Sequence, residues 1–209
     1  MLLGLWTRVG IPPEPPQPVA ENEKPRPFRL FSIQGLLIFA FALYVGAEVL
    51  GSMWMVAYLV EVRHFTVADA TPYATGFFVI MTLTRFGCVA VRGDRVEKWL
   101  ILGGLVAGLT AFAIGLCGFS MAFPFVGLVG PYFPLVLARM SRYLPREAPS
   151  LTLRTLFIAQ GMLAVCHFGM GYLATTVGLA VAYQVPVVVY AAVIVAMFGY
   201  LRLERGLKV

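Results

Sequence analysis

Between Phe31 and Leu201 the chain runs through six apolar stretches of roughly 20–30 residues, separated by short polar turns. A bilayer core of about 30 Å takes about 20 helical residues, and a helix is the one segment that satisfies its own backbone groups there. The pattern predicts an all-α, polytopic membrane protein with six transmembrane helices. Composition agrees, with 60% hydrophobic and 12% charged residues against roughly 45–50% and about 25% in soluble domains. At a mean hydropathy of +0.84, a soluble fold would have to expose large apolar patches. The net charge of +6 is no sign of nucleic-acid binding, because the basic residues sit in short clusters between apolar runs rather than on one solvated face.

Three regions follow: a leader over residues 1–30, a membrane domain over 31–202 and a tail over 203–209. Met1 to Trp6 is too short an apolar run for a signal peptide, and no small-residue cleavage site follows it. Seven prolines between Ile11 and Pro27 make the leader an extended tether outside the membrane. The first span, Phe31 to Val60, is long enough to require tilt or a break, expected near Gly46 or Gly51. The second runs from Pro72 to Val91 and the third from Trp99 to Gly118, whose Gly104 and Gly108 permit close helix contact. The fourth, Met121 to Tyr143, contains Pro124, Pro131 and Pro134, so it is kinked or unwound and needs neighbours for its freed carbonyls. Leu153 to Val177 and Val181 to Leu201 complete the six.

Lysines and arginines orient the chain. Fourteen of the sixteen fall in the leader, the second-to-third turn, the fourth-to-fifth turn and the tail, while Arg63 alone lies on the opposite side and Arg85 lies within a span. Both termini are therefore expected to be cytoplasmic, in an integral protein of the plasma (inner) membrane.

Glu48 stands near the middle of its span, where a charged carboxylate costs about 2.5–3.5 kcal/mol on the insertion scale. Either it is a protonated or hydrogen-bonded stitch between helices, or it is a cavity-facing carboxyl that takes up and releases protons. His167, at similar depth in the fifth span, is equally a helix-bridging group or a proton site. Arg85 lies a few residues to the cytoplasmic side of its span's centre, where snorkelling to the headgroups is the plain reading. Tyr44, Trp54, Tyr58, Tyr73 and Tyr132 either line a polar cavity or anchor at the interfaces. Cys88, Cys117 and Cys166 read as buried, inert thiols, and no metal-ligand spacing occurs. No nucleophile has a partner base, and Gly118-Phe119-Ser120-Met121 departs from an intramembrane serine protease motif at its last residue. Neither an enzyme nor a cofactor is expected.

Six spans with cytoplasmic termini and a proline-rich leader resemble the C-terminal half of a major facilitator superfamily transporter. Tyr44-Val45-Gly46-Ala47-Glu48-Val49 with Trp54 and Tyr58 is similar to the seventh helix of that superfamily's fucose/glucose:proton symporter branch. Thr84-Arg85-Phe86 resembles the branch's Gly-Arg-Phe in the eighth helix, with threonine replacing glycine, and Arg92-Gly93-Asp94-Arg95 resembles the loop motif after it. Pro131-Tyr132-Phe133-Pro134 sits where the tenth helix breaks, and Gly161 through Gly171 where the eleventh is glycine-rich. The resemblance implies that the first, second, fourth and fifth spans face a central cavity braced by the third and sixth. The acidic residues credited with coupling in the fucose symporter lie in the N-terminal half, which this chain lacks.

Two functions are expected from these readings. One is a half-transporter that pairs in the bilayer with a second half, a copy of itself or another membrane chain, for proton-coupled secondary transport of a small solute such as a sugar. The other is a non-transporting scaffold subunit of a membrane complex that retains the transporter fold. The discriminating residues are Glu48 and His167, lining a wet cavity in the first case and sealed at helix contacts in the second.

Overall fold

The structure, a computed structural model, describes residues 33–88, 91, 93–143 and 148–207. The leader, Arg92 and Arg146 lie outside the described residues. Those described form α1 (Ile33–Met53), α2 (Met55–Glu61), α3 (Val67–Gly87), α4 (Asp94–Leu116), a 3-10 segment (Ser120–Val129), α5 (Tyr132–Tyr143), α6 (Ala148–Val177), α7 (Leu179–Ala182) and α8 (Val185–Leu207). No strand occurs among them.

Five segments are long and apolar enough to cross a membrane: Gln34–Met53, Asp94–Leu116, Ser120–Arg142, Pro149–Val177 and Leu179–Glu204. They are compatible with an integral membrane protein. Six apolar spans were expected, and five of them are long and apolar enough. The other long helix, α3, has 21 residues, but Asp69, four threonines and Arg85 dilute its apolar content.

The first span breaks at Trp54, between α1 and α2, and not at a glycine. Gly46 and Gly51 serve contact instead. A Cβ at Gly46 would lie 2.8 Å from Cys166 Sγ on α6, and one at Gly51 would lie 3.2 Å from Phe112 on α4. A helix residue with a neighbour pressed against its Cα has no freedom to hinge.

The fourth span is divided as its prolines require. Its first ten residues are a 3-10 helix containing Pro124, long for a form whose hydrogen bonds are strained. Helices on both sides hold it: α3 and α4 pack against it along its length. The Gly104/Gly108 pair on α4 makes the expected close approach, a Cβ at Gly104 falling 2.8 Å from the Leu128 carbonyl. Side chains also reach its carbonyls, with Thr84 Oγ1 3.3 Å from the Gly127 oxygen and the Tyr44 hydroxyl donating to Val129 at 3.3 Å.

Helix ends follow local chemistry. His64 closes α2 with a φ of 60°, and Phe65 N reaches back to the Leu59 carbonyl at 3.0 Å, one residue further than in a Schellman cap. Thr66 then caps α3, its Oγ1 accepting from Asp69 N at 3.1 Å. At the end of α4 the chain turns through Gly118, where φ is 119°. Arg63 Nη2 donates there to the Leu116 carbonyl at 2.6 Å, a cation placed against the negative end of the helix.

Within this architecture α1 is the central element, packed on α8 and on α6, while α4 joins α8 to the 3-10 segment. The helix α6 is the least covered, with Phe157 and Phe168 more than three-quarters exposed.

Candidate functional site

Glu48 lies on α1 and Arg85 on α3, and the two form an ion pair. Arg85 Nη2 donates to Oε1 at 2.8 Å and to Oε2 at 3.0 Å. Arg85 therefore does not snorkel away from its span. The carboxylate side chain is 13% exposed and the guanidinium side chain 33%, so the pair sits at the rim of a face rather than in the core. Helices α1 and α3 touch only lightly, which leaves the ion pair as the main polar link between them.

Aromatic rings build the ground beneath it. Tyr44, one helical turn before Glu48, stacks on Tyr132 with ring centroids 4.3 Å apart. Phe133, the next residue of α5, lies under the Arg85 guanidinium at 5.3 Å, a cation–π contact, and also packs on Phe41 at 5.1 Å. The Tyr132 hydroxyl points to Met197 Sδ on α8 at 3.9 Å. The proline-broken fourth span thus supplies, at the start of α5, two rings that position α1 and α3 side chains.

Two donors near the pair are buried without a hydrogen-bond partner among the described residues: Arg85 Nε and the Tyr190 hydroxyl on α8. Tyr190 is wholly buried and near enough to Glu48 to interact with its charge. Buried polar groups are nearly always paired, so these two mark a place for water or ligand.

The other expected site residues fall elsewhere. Tyr58 stacks on Tyr183 at 4.5 Å, at the end of the bundle held by Arg63. Trp54 is half-buried at the α1–α2 break. His167 is half-exposed on α6, and Glu48 pairs with Arg85 instead of with it. Equal depth along two helices does not by itself make two side chains partners. Of the cysteines, all free, Cys88 is buried, Cys166 half-buried and Cys117 exposed at the end of α4, so the inert-core reading fails for Cys117.

Sequence reasoning missed a second cluster. Arg139 on α5 is completely buried and donates to Glu97 at 2.9 Å, Asp94 at 2.9 Å and Glu204 at 2.6 Å. Lys98 bridges Asp94 at 2.8 Å and Glu204 at 3.6 Å, and Arg142 bonds Glu97. Among the described residues three acids meet three cations, which ties α4, α5 and α8 at one end. The readable signal was an acid pair, Asp94 and Glu97, in the first turn of a helix, where acids suit the dipole.

Two open hollows on the outer face of α4, around Thr110, Ile114 and Phe119, are lined mainly by apolar side chains. Neither touches Glu48 or Arg85, and their chemistry is that of a lipid-facing surface. Among the described residues no group of His, Cys, Asp and Glu could hold a metal ion. Compared with protein-family models, curated proteins and solved structures, the chain matches none.

Proposed function

We propose that this chain is one half of a secondary transporter of the major facilitator type, which pairs with a second half in the membrane and moves a small solute with proton linkage at Glu48. The observation that carries this reading is the Glu48–Arg85 ion pair, held at the rim of an apolar bundle by two helices that scarcely touch. Ionisable groups inside a span are costly and mark ion or substrate paths. A static clamp would gain more from apolar packing of the same volume.

The reading takes α3 as the sixth span. Its 21 residues extend about 32 Å at 1.5 Å each, enough for the hydrocarbon core. Its threonines cost little there, because Thr71, Thr75 and Thr84 donate to the carbonyls four residues back, at 2.7, 3.1 and 3.0 Å. Six spans place both termini on the cytoplasmic side, as the basic residues require. The resemblance to the fucose/glucose:proton symporter branch points to a sugar-sized solute.

The pair's low exposure favours the second reading, a scaffold subunit in which Glu48 and Arg85 only stitch helices. Flux decides between them. Vesicles holding the protein with its membrane partner are expected to concentrate a labelled solute from the panel fucose, glucose, galactose, glucuronate and lactate when the outside is acidified. Glu48→Gln should keep exchange and lose uphill accumulation. Absence of gradient-driven flux across the panel, with the protein folded and paired, would leave the scaffold reading.

A further inference from the structure

An arginine side chain presents five N–H donors and stays charged at every accessible pH. Its strongest partner geometry is a carboxylate laid along one edge of the fork, each oxygen taking a different nitrogen. Glu48 does not lie that way. Both its oxygens rest on the single nitrogen Nη2, at 2.8 and 3.0 Å, while Nε is buried with no partner among the described residues. Arg85 therefore keeps a half-filled edge, Nε with Nη2, in a setting where unpaired donors are expensive.

The charges restrict what can fill it. The pair is neutral as it stands. The groups facing Glu48 are Tyr44 on its own helix, Arg85 from α3, Tyr132 from α5 and Tyr190 from α8, with Cys166 and His167 on the packed helix α6. None of them brings a second negative charge. An anion arriving alone would leave the site at minus one, and a proton arriving alone would leave Arg85 unpaired at plus one. Only an anion and a proton together keep an apolar setting free of unpaired charge.

We propose that the Arg85–Glu48 pair is a binding site for a small organic carboxylate, which replaces Glu48 along the Nε–Nη2 edge of Arg85 while Glu48 takes up one proton. The balance is simple: the ligand anion and one proton enter, an O–H bond forms on Glu48, and the net charge of the site stays zero. A phosphate dianion is disfavoured, because one carboxyl cannot neutralise its second charge. Resting on the reading of Glu48 as the proton-linked group, the inference makes the transported solute an acid that crosses as anion plus proton. Phe133, which lies under the guanidinium, would face its carbon skeleton.

The test uses purified protein in nanodiscs with its membrane partner, and two matched probe pairs: glucuronate against glucose, and lactate against lactamide. A carboxylate is expected to bind roughly tenfold or more tightly than its neutral counterpart. Its affinity should fall about tenfold per pH unit on the alkaline side, since one proton is taken up. Infrared difference spectra should show a protonated carboxyl on binding that is missing from Glu48→Gln. Glu48→Gln should bind the carboxylate at least as tightly as wild type and without pH dependence, because its fork is already free. Arg85→Lys should lose the preference for the carboxylate. Equal binding within both probe pairs, pH-independent binding by wild type, or weaker binding by Glu48→Gln would each overturn the inference. Glucose flux driven by a pH gradient without carboxylate preference leaves transport standing and overturns the carboxylate site. Carboxylate binding with proton uptake but no flux supports the site and removes the transport reading.

Discussion

The Tyr183 hydroxyl donates to the Gly51 carbonyl at 2.6 Å, joining residues 132 positions apart. Gly51 lies in the last turn of α1, whose carbonyls have no partner further along that helix. The tyrosine thus secures the backbone just before the Trp54 break, while its ring stacks on Tyr58 beyond it. Tyr183→Phe keeps the ring and strands a buried carbonyl, at a cost of about 1–3 kcal/mol. A lowered thermal midpoint in detergent is the expected result; an unchanged one would mean that water replaces the hydroxyl.

Arg139 is the centre of the other polar cluster, and its loss leaves Glu97, Asp94 and Glu204 facing two cations. Breaking a buried pair by removing one partner costs about 3–5 kcal/mol, because an uncompensated charge stays behind. Arg139→Met is therefore expected to fold poorly. Combining it with Glu97→Gln and Glu204→Gln should recover much of the loss, measured as monodisperse yield from the membrane.

Cys117 offers a native reporter of topology. It is the exposed thiol at the end of α4, beside the carbonyls that Arg63 caps. With cytoplasmic termini this end faces outward, so an impermeant maleimide applied to intact cells should label wild type and not Cys117→Ser. Labelling that requires permeabilised cells would reverse the orientation.

The sequence speaks clearly where a residue's own chemistry decides the structure. Pro124 and Pro131 deny hydrogen bonds to any helix, so the broken fourth span was readable, including its need for partners such as Thr84 and Tyr44. Gly46 and Gly51 were misread because a glycine declares permission, and only the position of Cys166 and Phe112 shows that the permission is for contact. Glu48 was legible as an expensive residue, but its partner was not. Depth is encoded along the chain, whereas the direction a side chain takes around its helix depends on how α1 and α3 dock. Arg139 was read for orientation alone and Asp94 only as part of a loop motif, because nothing in the sequence shows that α4, α5 and α8 bring them together with Glu97 and Glu204.

Two glycines, Gly127 on the broken span and Gly103 on α4, separate contact from tolerance. A Cβ at Gly127 would collide with the Phe77 carbonyl and approach Met81 N at 2.8 Å, whereas one at Gly103 meets nothing within 4 Å. Gly127→Ala should push α3 off the 3-10 segment and cost several times the helix-propensity term. Gly103→Ala should be neutral or gain up to about 1 kcal/mol from propensity. Unfolding midpoints of the two variants, compared in one detergent, check this; similar midpoints would mean that α3 is not seated as described.

The link between α1 and α3 can be weighed by a double-mutant cycle on Glu48 and Arg85. Arg85→Met leaves an unpaired carboxylate at the rim of an apolar face, and Glu48→Gln leaves an unpaired guanidinium. The double variant leaves neither. Contacting charged pairs couple by roughly 0.5–3 kcal/mol. With a third of the Arg85 side chain exposed, solvent screening places this pair in the lower part of that range. The double variant is therefore expected to be less destabilised than the two single variants added together. Strict additivity would show that the ion pair contributes no coupling and that α3 is held by the 3-10 segment and α2.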